Sequence, residues 1–149
     1  MLRKLSFLAL VVLAGCDSAT ASGDDTFAGP VATAQRLWDA RGLDDYEFRY
    51  FAECFCAVAP GETIVTVLDD RVVAVQDART GRRLPEALQY TPTIELLLAR
   101  IADAERDGTY VRAEYDRRWG YPVDAVIGDL TLDAGVGHHI RDVRPVDLD

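Results

Sequence analysis

The stretch that decides the fold is Tyr46-Glu47-Phe48-Arg49-Tyr50-Phe51-Ala52-Glu53-Cys54-Phe55-Cys56. Side chains alternate between the two faces of an extended chain. Tyr46, Phe48, Tyr50, Ala52, Cys54 and Cys56 therefore share one side, with Glu47, Arg49 and Glu53 on the other. This pattern predicts a strand with one buried face, although Phe51 and Phe55 interrupt the polar side and predict some cover there. Downstream, Pro60-Gly61 turns the chain. Thr63–Leu68 and Val72–Gln76 are β-branched runs separated by Asp69-Asp70-Arg71, which predicts a hairpin.

Helices flank this group. Pro30–Arg41 has proline in its first turn, Val31, Ala34, Leu37 and Trp38 at helical spacing, and Gly42 as a stop, which makes Trp38 a core residue. A second helix is predicted with Thr91 as its cap and Pro92 in its first turn. Its stripe is Ile94, Leu97, Leu98 and Ile101, and it ends before Gly108. Arg100 and Arg106 then lie toward the end that the helix dipole favours for cations. Tyr110–Tyr115, Val123–Leu130 after the turn Gly120-Tyr121-Pro122, and His139–Val146 complete the strands. The order is helix, three strands, helix, two to three strands. It predicts an α+β fold with one antiparallel sheet of five to six strands and two helices on one face.

The chain has 149 residues, 49% of them apolar and 28% charged, which fits one globular domain with a real core. Sixteen basic residues face 25 acidic ones, a net charge of −9, so no nucleic-acid partner is expected. The N-terminus is read as processing signal. Arg3 and Lys4 precede an apolar run over 5–13, too short to cross a bilayer as a helix. The run leads to Leu13-Ala14-Gly15-Cys16, which resembles a bacterial lipobox. That resemblance implies a signal peptide over 1–15, lipidation of Cys16, and attachment to the membrane through the lipid. The small, polar and acidic composition of 16–29 reads as a flexible tether, leaving 30–149 as a single domain. Localisation is thus expected at the bacterial cell envelope, lipid-anchored, with inner and outer membrane undecided. Removal of Arg3 and Lys4 leaves no lysine, so the mature surface is more acidic still.

Tyr46-x-Phe48 leading to Cys54-Phe55-Cys56, Val72-x-x-Val75, Thr93-Ile94, and Tyr115-Asp116 before Gly120-Tyr121-Pro122 and Asp129 form a larger pattern. Together they resemble a family of small bacterial envelope lipoproteins known as a domain of unknown function. The resemblance covers roughly residues 32–146 and implies a location and a fold but no activity.

Three chemistries suit Cys54 and Cys56. In an oxidising compartment a disulfide is expected. Residues two apart in a strand have Cα atoms roughly 6.6 Å apart, at the long edge of disulfide geometry, so the bond needs a local kink. A strained bond of this kind would also serve thiol exchange. Alternatively, two thiolates with His138 or His139 suit copper(I) or zinc. Adjacent strand histidines face opposite ways, so only one could join, and Gly135-x-Gly137 predicts an exposed loop with solvent-facing histidines. Asp124, Asp129 and Asp133 invite calcium, but a closing glutamate would fall at Ile140, and the segment reads as an Asp-rich turn. No nucleophile elbow, phosphate loop, zinc-protease helix or dinucleotide fingerprint is present. No catalytic residue, metal or cofactor is therefore expected. Trp119 and Tyr121 are the candidate exposed aromatics for contact with an envelope protein or cell-wall partner. A tyrosine packed beside its own proline is the plainer reading of the second. The leading expectation is a non-enzymatic, lipid-anchored binding or structural module. The alternative is a thiol-redox or metal-binding protein centred on Cys54 and Cys56.

Overall fold

The computed structural model of the chain describes residues 29–54, 61–130 and 134–146. The expected signal peptide, Cys16 and most of the expected tether lie outside these residues, as do Phe55, Cys56 and Asp133.

Helix α1 (Pro30–Asp39) is followed by strands β1 (Tyr46–Glu53), β2 (Thr63–Leu68) and β3 (Arg71–Asp77). After a 3-10 turn at Pro85–Ala87 come helix α2 (Ile94–Arg106) and strands β4 (Val111–Tyr115), β5 (Pro122–Ile127) and β6 (Val136–Pro145). The six strands form one sheet in the order β3-β2-β1-β6-β5-β4, with every pairing antiparallel. The α+β expectation holds, with six strands.

The alternation read in 46–56 sets the core. Tyr46, Phe48 and Tyr50 are buried and pair with Val67, Val65 and Thr63 of β2. Ile140, Ala125 and His138 continue the same buried face across β6 and β5. Both helices pack on it: Val31, Ala34 and Trp38 from α1, and Ile94, Leu97, Leu98 and Ile101 from α2. The aromatic rings run in series. Trp38 meets Tyr46 edge-on at 5.1 Å, Tyr46 lies 5.9 Å from Phe48, and Phe48 lies 6.3 Å from Tyr50.

The local grammar explains the boundaries. Asp69 and Asp70 both take positive φ, 49° and 59°, as the two-residue hairpin between β2 and β3 requires. The cap of α2 is Thr93 rather than Thr91: the Thr93 hydroxyl accepts from Leu96 N at 3.2 Å. Thr91 Oγ1 instead donates to the Ala87 carbonyl, closing the turn before the helix. The final strand starts at Val136, three residues earlier than expected, because residues 136–140 pair with β5 or β1 instead of forming an exposed loop. A bulge in β6 opposite Glu47–Arg49 places Asp142 at φ 56°.

Candidate functional site

The buried aromatic residues of β1 and the turn before β5 are spent inside the fold. The Tyr46 hydroxyl donates to Glu95 Oε2 at 2.6 Å and accepts from Ile94 N at 3.0 Å. Trp38 Nε1 donates to the other oxygen of Glu95. One carboxylate in the first turn of α2 thus ties α1, β1 and α2 together, at the helix end where negative charge is favoured. Burial, and then the Glu95 carboxylate beside it, push the Tyr46 hydroxyl well above the ordinary phenol range. The turn between β4 and β5 is equally structural. Asp116 Oδ1 accepts from Arg118 N at 2.9 Å and Trp119 N at 2.6 Å, while Gly120 N donates to the Asp116 carbonyl. Gly120 has φ +85°, and a Cβ there would sit 2.2 Å from the Ala34 carbonyl oxygen of α1. The Gly120-Tyr121-Pro122 motif is therefore a docking point for the first helix.

The two histidines separate as strand geometry demands, but His138 is buried in the core, contrary to the solvent-facing expectation. Its relative exposure is 6%, its Nδ1 shares a 2.8 Å hydrogen bond with the Tyr50 hydroxyl, and its ring stacks on the Tyr50 ring. Burial lowers its pKa to about 4, helped by the nearby positive Arg100 and by His139. The same burial raises the Tyr50 hydroxyl above its ordinary value. This pair is an apolar-core element holding β1 to β6.

His139 points to the opposite, outer face, which neither helix covers. Here Phe51 is 40% exposed and its ring stacks on His139 at 5.6 Å, correcting the expectation that Phe51 is covered. His139 Nδ1 lies 2.9 Å from Asp124 Oδ2, and Nε2 lies 3.7 Å from Glu53 Oε2. Asp124 also meets Arg112 at 3.2 Å. Further along the same face, Arg49 bridges Glu62 at 3.0 Å and Asp142 at 3.3 Å, Glu62 also holds Arg141, and Glu47 holds Arg144. A shallow recess of about 380 Å³ opens between Phe51, Glu62, Val123, His139 and Arg141.

An imidazole oriented by a carboxylate needs a hydroxyl or thiol on its other nitrogen to make a nucleophile. Here the group beside that nitrogen is the carboxylate of Glu53, which only accepts. Among the described residues, no cluster of three His, Cys, Asp or Glu side chains is arranged to hold a metal ion. Cys54 is half-buried just beyond the end of β1. Trp119 and Tyr121 are half-buried against the core cluster, with the Arg41 guanidinium 5.5 Å over the Trp119 ring. They sit at the turn before β5, on the side of α1, although Asp124 of the outer face follows Tyr121 by only three residues. The strand reading marked the outer face as polar, but cross-strand partners such as Asp124 and Glu62 become visible only once the register is known.

A protein family described as a family of unknown function, DUF6174, matches residues 31–145. No curated protein and no solved structure matches the chain.

Proposed function

Since the chain belongs to the DUF6174 family, whose function is unknown, we propose a function from its own residues: a lipid-anchored cell-envelope protein that binds an envelope protein or cell-wall partner through the outer face of its sheet. The observation that carries this is the division of labour between the two faces. The Tyr46–Glu95–Trp38 network and the Gly120 turn are consumed in holding the fold, while Phe51 and a belt of paired charges face solvent with a recess between them. An exposed aromatic bordered by charged groups is the composition of a contact patch.

The anchor is the Leu13-Ala14-Gly15-Cys16 sequence, with Cys16 as the acylated residue. Cys16→Ala is expected to leave a longer chain that no longer partitions with the membrane fraction. For the outer face, a photo-reactive side chain is placed at position 51, or at exposed Leu96 on α2 as the control, in the full chain in its host membrane. A discrete cross-linked product from position 51 and none from position 96 is expected. Equal or absent products at both positions overturn the reading.

A second reading concerns Cys54 and Cys56, for which we propose a disulfide. Its support is that Cys54 is disulfide-bonded. Labelling of the full chain by a thiol reagent only after reduction is the expected result. If the pair instead cycles between states during growth, or copurifies with copper or zinc, the thiol-redox or metal-binding role takes its place.

A further inference from the structure

The sheet ends in β3 on one side and β4 on the other, and the two edges are finished differently. Along β3 the chain returns to cover the strand: Leu84 N donates to the Val75 carbonyl at 2.8 Å, Asp77 N donates to the Arg82 carbonyl at 2.9 Å, and Gln76 bridges Arg83. Among the described residues, β4 has no strand on its far side.

The direction of its free groups follows from one bond. Gly128 N donates to the Tyr110 carbonyl at 2.9 Å, which makes Tyr110 and Gly128 a hydrogen-bonded pair. Such pairs alternate along an antiparallel ladder. Arg112 and Glu114 therefore aim their backbone groups at β5, where they stand opposite Val126 and Asp124. Val111, Ala113 and Tyr115 aim theirs outward, as an unpaired template for another strand.

The side chains specify which strand fits. About Ala113 the sequence Val111-Arg112-Ala113-Glu114-Tyr115 is its own complement in charge. We propose that β4 is a self-association edge, on which a second copy of this chain pairs antiparallel through a two-fold axis at Ala113. In that register Ala113 exchanges both backbone bonds with the partner's Ala113, and Val111 pairs with the partner's Tyr115. Arg112 stands opposite the partner's Glu114, and symmetry makes that contact twice. Both Arg112 and Glu114 are exposed, and the Arg112 contact to Asp124 lies along the same outer face, so it persists. The two sheets become one, with all helices on one side and both outer faces on the other.

The test is the protein mass per particle of the full chain in detergent, by sedimentation equilibrium. Wild type is expected to show two copies, with association weakening as salt rises. Glu114→Arg sets arginine against arginine twice, and Arg112→Glu sets glutamate against glutamate. Each alone is expected to associate about tenfold more weakly or worse. An equimolar mixture of the two restores complementary pairs at both positions and is expected to recover association as a mixed dimer. Ala113→Pro removes an outward N–H while sparing the bonds to β5, and is expected to give single copies with an unchanged circular dichroism spectrum. Wild type that stays single at its highest attainable concentration overturns the proposal. So does a mixture that associates no better than its components.

Discussion

His138 and His139 are neighbours in sequence, yet they belong to two different chemistries. His138 stands in the helix-covered face, paired with Tyr50 and held neutral by burial. His139 stands on the open face between Phe51, Asp124 and Glu53. The difference lies in which side of the pleat each takes, and it divides the whole sheet. The inner side is spent on stability. The outer side carries the half-exposed ring of Phe51 and a belt of paired charges.

The sharpest way to test that division is to delete one aromatic from each side of β1. Phe48 is 1% exposed and wedged between Tyr46 and Tyr50. Phe48→Ala is expected to cost about 3–5 kcal/mol in urea unfolding, from lost transfer energy and the cavity left behind. A loss below about 1 kcal/mol would mean that the inner face is not the core that its burial indicates.

The histidines supply the second test. A folded-state pKa near 4 for His138, against an ordinary value of 6.5, means that the unfolded chain takes up the proton first as pH falls. Its stabilising contribution is therefore present above pH 6.5 and is lost between about 6.5 and 4. The loss is on the order of 3 kcal/mol at about 1.4 kcal/mol per pH unit. His138→Gln is expected to flatten that part of the stability profile relative to wild type. The comparison of variant with wild type isolates this group from every other titrating group.

Next in size is the network that holds both helices to the inner face. Glu95→Ala removes the acceptor for Trp38 and Tyr46 at once. It is expected to destabilise by about 2–3 kcal/mol, the range for hydrogen bonds to a charged group. Tyr46→Phe retains the Trp38 bond and is expected to cost less. If the two variants were equally damaging, the carboxylate would be acting through Tyr46 alone.

Much of this division is legible in the sequence, and the reason is periodicity. Tyr46, Phe48 and Tyr50 alternate, Ile94, Leu97, Leu98 and Ile101 recur at helical spacing, and both patterns place their own residues in the core. Gly120 is legible as a turn, but not as the contact with α1, because close approach between distant segments leaves no local signal. The same holds for the outer face. Asp124 reads as one of several aspartates near a turn, and Glu62 carries no local signal. Strand order alone brings Asp124 to His139, and it brings Glu62 to Arg49 and Arg141. His138 is misread as exposed because Gly135 and Gly137 just before it suggest a loop, whereas pairing with β1 and β5 extends the strand back through Gly137 to Val136.

The smallest expected stability effect is the one that bears most directly on function. Phe51→Ala removes a ring that is already 40% exposed and touches chiefly His139. Two-fifths of its surface stays in water, so the cost is expected to be on the order of 1 kcal/mol, well below that of Phe48→Ala. His139→Ala leaves Asp124 with Arg112 beside it and is expected to be similarly mild, because exposed ion pairs contribute little. The expected signature is a double variant, Phe51→Ala with His139→Ala, that melts within a few degrees of wild type and yet loses the cross-linked product formed from a photo-reactive group at exposed Glu53. Retention of that product would separate the outer face from partner binding. A large drop in melting temperature would instead make the outer face part of the fold's own stability, and the contrast between its two sides would fail.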